Sequence, residues 1–319
     1  MPAWSRAMAL SGDGSLLLGF DIGGTKTAAV VGTPGGQVVE RLAFASQPER
    51  GVEAMLDAME RHARVLLARH GEVAGVGASI GGPVDAERGL VLSPPNLPGW
   101  DAVPLAALLA ARFGCPARVE HDAKACALAE WRHGAGRGAS DMVFLTLGTG
   151  IGAGIIAGGR LPRGAANLAG EIGHWRVAEN GPELYGKRGL LEGWSSGAGI
   201  AALAYDTEPR HFAARPSAAE LAGMAAAGDD RARAVIGQAG TALGRALALL
   251  VDLLAPEMIV LGNLAHRLGA TLLDPARAAL AAEALPALAR RCSVVPCALG
   301  ESIGDVAALS VAAEACDAG

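Results

Sequence analysis

The chain has 319 residues, of which 51% are hydrophobic and 18% charged, a composition that provides a large buried core and excludes an intrinsically disordered protein. The net charge of −5 comes without any run of lysine or arginine, so nothing favours a nucleic acid or an anionic membrane as a partner. The five cysteines include no C-x-x-C pair, which is typical of reduced thiols in a cytoplasmic protein and argues against disulfides or zinc.

The chain begins with a polar segment and a first glycine turn. Residues 1–15 lack the apolar stretch of a signal peptide and are interpreted as a disordered leader. Residues 16–20 and 28–31 predict two strands around the turn DIGGTK, residues 21–26. The Walker A motif is absent, because Thr25 separates Gly24 from Lys26. Glycines directly after a strand nevertheless leave backbone N–H groups free to bind phosphate.

A helix, a strand and a proline-rich loop follow. Residues 51–70 have the spacing of an amphipathic helix, and residues 73–80 predict a strand of small residues that ends at a Gly-Gly-Pro turn. Residues 92–100, LSPPNLPGW, predict an irregular loop of the kind that commonly lines a binding site. For the polar Asn96 and the aromatic Trp100 of this loop, a structural role and a functional role both stay open.

An acidic residue stands at the start of the next predicted helix. A short strand at Val119 leads through Glu120 and His121 into Asp122, and residues 125–131 continue as a helix. Asp122 is either the N-cap of this helix or a carboxylate at the mouth of a cleft that accepts a proton. In the second case the helix dipole favours the ionised form that a general base needs.

The densest cluster of glycines and polar residues lies between residues 143 and 174. Residues 143–147 predict a buried strand, and Ile155 and Ile156 restart a strand after a Gly-Thr-Gly turn. A hairpin is favoured over a dinucleotide fingerprint, because that fingerprint requires a helix directly after its glycines. Glu171 and His174 share one face if their segment is helical. The repeated strand, turn and strand pattern indicates two related α/β halves or two unrelated hairpins.

The C-terminal part predicts helices around one short strand. Glu192 lies at a helix start, residues 201–237 are helical, and residues 241–254 form a buried helix whose apolar stretch is too short to span a bilayer. A strand over residues 258–261 ends in a third glycine turn, Gly262-Asn263, and residues 303–316 predict the last helix. Three glycine turns after strands provide three backbone anchor points for a nucleotide.

Several motifs together resemble the ROK family of sugar kinases and related repressors. DIGGTK (21–26) and LGTGIGAGII (147–156) resemble its phosphate motifs, SPPNLPGW (93–100) its sugar loop, AGEIGH (169–174) its signature, and DLLAPEMIVLGN (252–263) its adenosine motif. The resemblance implies a two-domain α/β fold of the actin-like ATPase (ribonuclease H-like) class with a cleft between the domains. It implies a smaller domain of residues 16–120 plus 301–319 and a larger domain of residues 121–300.

The resemblance also implies an activity and the residues that carry it. The implied activity is ATP- and Mg²⁺-dependent, glucokinase-like phosphorylation of a hexose by a cytoplasmic homodimer. Asp122 falls on the catalytic base, and Asp21 falls on the acid near Mg²⁺, which it would contact through water. The implied sugar-binding residues are Gly82, Asn96, His121, Asp122, Glu171, His174 and Glu192. The implied nucleotide-binding residues are Asp21, Gly23, Gly24, Thr25, Lys26, Gly148, Thr149, Gly150, Gly262 and Asn263.

Three positions depart from the family pattern. His121 stands where most members have asparagine, which can shift substrate preference, and Asn263 stands where a further glycine is common. The zinc loop C-x-C-G-x-x-G-C reads ELYGKRGL over residues 183–190, so we predict no structural zinc. Because of His121, the alternatives are a kinase of an N-acetylhexosamine, another aminosugar or a cyclitol, or a non-catalytic sugar sensor. A repressor is not expected, since only about 15 residues precede the first predicted strand.

Overall fold

The computed structural model describes residues 15–317, so the predicted leader lies outside the described residues except for Ser15. Contacts divide the described chain into two units. Unit 1 comprises residues 15–134, 163–169 and 301–317, and unit 2 comprises residues 135–162 and 170–300. This division differs from the expected boundary at residue 120, because the helix Asp122–His133 packs on the C-terminal helix within unit 1.

The elements of the described residues are numbered here in chain order. The strands are β1 (Leu16–Ile22), β2 (Lys26–Gly32), β3 (Val38–Ala45), β4 (Val73–Ile80), β5 (Val84–Asp85), β6 (Leu90–Val91), β7 (Ala117–His121), β8 (Met142–Leu145), β9 (Ala153–Ile156), β10 (Met258–Leu261) and β11 (Ser293–Pro296). The α-helices are α1 (Val52–His70), α2 (Leu105–Phe113), α3 (Asp122–His133), α4 (Leu191–Ser195), α5 (Gly197–Thr207), α6 (Ala218–Ala226), α7 (Asp230–Leu254), α8 (Leu264–Glu283), α9 (Pro286–Ala289) and α10 (Ile303–Asp317).

Unit 1 is built on a five-stranded sheet of order β3-β2-β1-β4-β7. The strands β1, β4 and β7 run parallel, while β2 and β3 are added as antiparallel hairpins. Residues alternate between the faces: Leu18 and Phe20 pack with α1 and α2, whereas Leu17 packs against α10. Because parallel strands end at one edge of a sheet, Asp21 of β1 and His121 of β7 lie at the same carboxyl edge.

Unit 2 is built on a four-stranded sheet of order β11-β10-β8-β9. The strands β8, β10 and β11 are parallel, and β9 pairs antiparallel with β8. The hairpin predicted around the Gly-Thr-Gly turn is therefore confirmed, and the dinucleotide alternative is wrong because a strand follows the glycines. Both sheets combine three parallel strands with antiparallel additions, two strands (β2 and β3) in unit 1 and one strand (β9) in unit 2.

Helix α7 forms the core of unit 2 and is longer than the predicted buried helix. Among the described residues it is the one helix long and apolar enough to cross a membrane, yet 67% of its apolar window is buried inside the protein. Gly240 and Gly244 bring its backbone against that of α8, close to the carbonyl groups of Leu272 and Ala276. This burial is typical of a core helix. The single helical stretch predicted over residues 201–237 is instead divided among α5, α6 and α7.

Candidate functional site

The first glycine turn connects β1 to β2 and is held from the end of β3. The Gly23 N–H donates to the Lys26 carbonyl at 3.0 Å, which closes the turn. Ser46 fixes the turn from the other side, since its hydroxyl donates to the Gly23 carbonyl at 2.6 Å and its N–H donates to the Thr25 carbonyl at 3.0 Å. Sequence reasoning missed Ser46, because a single serine 23 residues away in the chain gives no recognisable pattern.

The proline-rich loop packs directly on this turn. A Cβ added to Gly24 would lie 2.8 Å from the Cβ of Asn96 and 2.9 Å from its carbonyl oxygen. Asn96 is exposed beside the turn, whereas Trp100 is fully buried in the core of unit 1. The structure therefore distinguishes the two residues whose roles stayed open. Trp100 is a core residue, and Asn96 lies next to the predicted nucleotide-binding residues.

Gly24→Ala is expected to raise the KM for ATP by about tenfold and to lower the free energy of unfolding by about 1–3 kcal/mol, because overpacking forces the turn and the loop apart. Steady-state kinetics and urea unfolding measure the two effects. Gly35→Ala is the matched control, since a Cβ there would meet only the Thr33 hydroxyl at an ordinary 3.6 Å. An unchanged KM in Gly24→Ala would show that the close packing at Gly24 is irrelevant to nucleotide binding.

Asp21 lies at the carboxyl end of β1, beside the first turn of α10. Burial, together with the charges of Asp305 and Asp122, raises the pKa of Asp21 to about 6, although the charge of Arg41 opposes this shift. Arg41 is itself paired with Asp305 at 2.8 Å. A carboxylate that lacks sufficient positive charge nearby is suited to a divalent cation. Mg²⁺ commonly uses one or two carboxylates and takes its other ligands from phosphates and water.

Asp21→Asn is expected to stabilise the metal-free fold above pH 6. The ordinary pKa of this carboxyl is 3.8, so the native state binds more protons than the unfolded state between pH 3.8 and about 6. The wild type is consequently fully stabilised below pH 3.8 and loses stability as the pH rises through 6. Urea unfolding should give a gap between variant and wild type that grows to about 1–3 kcal/mol by pH 7.5. A gap that is constant with pH would contradict this assignment.

Asp122 is the first residue of α3 and is not its N-cap. His121 is the N-cap, and its Nδ1 accepts a hydrogen bond from the Ala123 N–H at 3.2 Å. The Asp122 Oδ1 accepts from the same N–H at 2.6 Å, while 49% of the side chain stays exposed. The N-cap interpretation of Asp122 is therefore wrong. The carboxylate is oriented by the helix backbone and remains open to a substrate.

His121 is turned toward Gly82, the glycine that follows β4. A Cβ on Gly82 would lie 2.8 Å from the Nε2 of His121, so the imidazole needs glycine as its neighbour. A ring that accepts at Nδ1 carries its proton at Nε2, which makes Nε2 the available donor. His121 therefore combines a capping role with a hydrogen-bond donor beside Gly82, one residue before Asp122 in the chain.

A buried polar network supports the junction between β7 and α3. The Glu120 carboxylate accepts from the His121 N–H at 2.9 Å and from the Asn167 amide at 3.1 Å. Asn167 also donates to the Val84 carbonyl at 2.9 Å, and the Lys124 ammonium donates to the Asn167 carbonyl at 2.7 Å. This network holds the backbone of residues 120–124, which includes Asp122, in place. Its members come from distant parts of the chain, so no sequence motif predicts it.

The second and third glycine turns lie together in unit 2. Gly262 donates its N–H to the Leu145 carbonyl at 2.9 Å, and Leu264 donates to the Leu147 carbonyl at 3.1 Å. The Gly148 carbonyl accepts from the N–H of Gly197, the first residue of α5, at 2.7 Å. These contacts bring the turn Gly148-Thr149-Gly150 beside Gly262-Asn263.

Glu192 links the Gly-Thr-Gly turn to the predicted sugar residues. Its Oε2 accepts from the Ile151 N–H at 2.7 Å, and its Oε1 accepts from the Tyr185 hydroxyl at 2.9 Å. The Tyr185 ring stacks on His174, with ring centroids 4.9 Å apart. The Glu192 hydrogen bond, burial and the charges of Glu192 and Glu171 raise the pKa of Tyr185. The structure therefore groups Glu171, His174 and Glu192, with Tyr185 among them.

The segment that carries Glu171 and His174 is less regular than predicted. Only a short 3-10 helix, Ile172–His174, follows Glu171, so the two side chains share one turn and not one face of an α-helix. Gly173 within it lies against Glu192: a Cβ there would be 3.1 Å from the Glu192 Oε2. The hairpin over residues 183–190 packs beside this turn and occupies the position of the family's zinc loop.

We expect purified protein to contain substoichiometric zinc, because the three cysteine positions of the zinc loop hold Glu183, Tyr185 and Leu190. Elemental analysis of protein purified without chelators measures this directly. Growth in zinc-supplemented medium should leave both the zinc content and the activity unchanged. One tightly bound zinc per chain would contradict the prediction.

Comparison with known proteins shows the family of the chain. The model of the ROK family matches residues 17–315, so the chain belongs to the ROK family. A glucokinase of Thermotoga maritima is 32% identical over 311 residues, covering 93% of this chain and 97% of that protein. An N-acetylmannosamine kinase of Shigella flexneri is 34% identical over 248 residues, covering 77% of this chain and 82% of that protein.

Solved structures extend the comparison to the fold. The crystal structure of a ROK family glucokinase from Streptomyces griseus, in complex with glucose and AMPPNP, matches with a TM-score of 0.77 at 31% identity. The match covers 94% of this chain and 100% of that chain. The predicted fold class, the α/β fold of the actin-like ATPases, is confirmed by this likeness.

Proposed function

We propose that this chain, a sugar kinase of the ROK family, transfers the γ-phosphoryl group of ATP to a hydroxyl group of a hexose. The observation that carries the proposal is the geometry of Asp122. Its carboxylate is oriented by the first turn of α3, is 49% exposed, and lies at the same sheet edge as Asp21 and the first glycine turn. A general base next to a phosphate-binding turn is what phosphoryl transfer to an alcohol requires.

In the proposed reaction the oxygen of the sugar hydroxyl attacks the γ-phosphorus of ATP while Asp122 accepts the proton of that hydroxyl. ADP is the leaving group. Glu171, His174 and Glu192 bind the other hydroxyls of the sugar, since a carboxylate accepts hydrogen bonds from two neighbouring hydroxyl groups. Protein-side catalysis of phosphoryl transfer consists mainly of positioning and stabilisation of charge. The ordered turns and the fixed Asp122 carboxylate support that kind of catalysis.

The nucleotide would bind to the three glycine turns, and Asp21 would hold Mg²⁺ through water. Bound Mg²⁺ neutralises charge on the phosphates. Asp21 fits this ion because its carboxylate stands among other acids, and among residues 15–317 no group of three His, Cys, Asp or Glu side chains is arranged to hold a metal alone. The remaining ligands would therefore be phosphate oxygens and water molecules.

The acceptor is a hexose in our proposal, with an aminosugar as the second candidate. Relatives of similar identity are named glucokinase and N-acetylmannosamine kinase, so both acceptor classes are represented. His121 is the residue we expect to discriminate, because it precedes the base and its Nε2 is free to donate. We further expect a cytoplasmic homodimer, which light scattering of the purified protein checks.

The test is ADP release with ATP and Mg²⁺ against glucose, mannose, fructose, allose, N-acetylglucosamine, N-acetylmannosamine and several cyclitols. Our proposal predicts turnover on glucose or a closely related hexose. Turnover confined to an N-acetylhexosamine or a cyclitol would move the acceptor to the second candidate. Silence with every compound, together with intact ATP binding, would contradict a kinase and favour a sugar sensor.

A further inference from the structure

Tyr185 occupies an unfavourable backbone position at the tip of a tight hairpin. Leu184 and Lys187 exchange two backbone hydrogen bonds, of 2.9 and 3.0 Å, around the central residues Tyr185 and Gly186. Both central residues have positive φ, 53° and 68°, as a type I′ turn requires. Asn-Gly is the preferred pair for this turn, and a bulky aromatic residue at positive φ is a conformational outlier. The turn alone therefore does not explain a tyrosine here.

Burial does not explain it either, because Tyr185 is 62% exposed. Its interactions are instead with two predicted sugar residues. The hydroxyl donates to Glu192 Oε1 at 2.9 Å, and the ring lies over the His174 imidazole at 4.9 Å with an angle of 19° between the planes. A strained residue whose contacts all lead to one site indicates a role in that site.

The contact to His174 matters because little else orients that ring. Within residues 15–317, stacking on Tyr185 is the ring contact that the structure gives His174, and its backbone is held by the Glu171 carbonyl at 3.3 Å. The stack leaves both imidazole nitrogens free, so His174 is able to donate and accept hydrogen bonds at the same time. Glu192 is likewise fixed from two sides, by Tyr185 and by the Ile151 N–H.

We propose that Tyr185 is a positioning residue of the sugar site: its ring sets the plane of His174 and its hydroxyl sets the carboxylate of Glu192. The inference rests on the proposed function, because it assigns a purpose to the same group of residues. In this chain an aromatic stack and one hydrogen bond hold the two side chains, at a position where the family pattern has a cysteine. The Tyr185 hydroxyl, whose pKa is raised from an ordinary value of 10.0, is protonated at neutral pH and therefore donates.

The test compares Tyr185→Asn with Tyr185→Phe. Asparagine is preferred in this turn, so Tyr185→Asn should have a Tm equal to or above that of the wild type. It loses the stack and the hydrogen bond, and its KM for the sugar should rise about tenfold, with kcat and the KM for ATP within about twofold. Tyr185→Phe keeps the stack and should raise the sugar KM by only about threefold. Lys187→Ala, in the same hairpin, should change neither the KM for the sugar nor the KM for ATP.

Two results would overturn the proposal. One is an unchanged sugar KM in Tyr185→Asn; the other is a loss of activity that only follows a loss of Tm. If the wild type phosphorylates no sugar, the proposed function fails, and the role of Tyr185 is decided by NMR of the His174 ring protons. Removal of the stacked ring should move these protons downfield in Tyr185→Asn but not in Tyr185→Phe, and identical spectra would refute the positioning role.

Discussion

Asp122→Asn is expected to lower kcat by about 10²–10⁴-fold and to leave the dissociation constant of the sugar within about threefold. Asparagine preserves the shape of the side chain, and its oxygen is still able to accept from the Ala123 N–H, which lies 2.6 Å from Asp122 Oδ1 in the wild type. It cannot remove a proton from the attacking hydroxyl. The loss therefore falls on the chemical step and not on sugar binding. Steady-state kinetics and calorimetric titration of the sugar measure the two constants separately.

Asp230→Asn is the matched control for this experiment. Asp230 is also the first residue of a helix, α7, and its side chain is 91% exposed and paired with Arg233 at 2.9 Å. The same chemical change at the same helical position should leave kcat within about twofold. A near-native kcat for Asp122→Asn, or an equal loss in both variants, would refute the role of Asp122 as the base.

Glu192→Ala and Glu171→Ala are expected to differ in which substrate they affect. Glu192→Ala removes the acceptor of the Ile151 N–H, which holds the turn Gly148-Thr149-Gly150, and also a predicted sugar ligand. Hydrogen bonds to charged groups contribute about 1.5–3 kcal/mol, or roughly 10–150-fold. We therefore expect the sugar KM to rise about 10–150-fold and the ATP KM to rise about tenfold as well.

Glu171→Ala supplies the contrast. The Glu171 side chain is exposed. The Glu171 backbone carbonyl accepts from the His174 N–H, and the charge of its carboxylate raises the pKa of Tyr185. Neither interaction involves the Gly-Thr-Gly turn. Removal of the Glu171 side chain should raise the sugar KM by a similar factor and leave the ATP KM within about twofold. Identical profiles for the two variants would show that the contact between Glu192 and the turn has no part in nucleotide binding.

The sequence predicted the strands and turns of the site well. The strands β4 and β10 have the predicted bounds, because each is a continuous run of small or branched residues that ends in glycine. The hairpin was distinguished from a dinucleotide motif by the β-branched Ile155 and Ile156. Local chemistry decides such features, so a sequence alone reveals them.

Features that depend on long-range contacts were mispredicted or missed. The N-cap of α3 is His121 and not Asp122, since the helical backbone already begins at Asp122, although both side chains accept from the Ala123 N–H. Glu171 and His174 would share one face only in a helix, and their segment contains a single 3-10 turn in which Gly173 lies close to Glu192. Ser46 and Tyr185 act on residues brought near by the fold, and neither stands in a motif.

The most direct test of a sugar kinase is to follow labelled γ-phosphate from ATP to glucose, mannose and N-acetylmannosamine, and to count ADP in the same reaction. We expect one sugar phosphate for each ADP, formed only when the sugar is present and lost in Asp122→Asn. Release of ADP that does not depend on the sugar, or the absence of any labelled sugar phosphate with the intact protein, would contradict it.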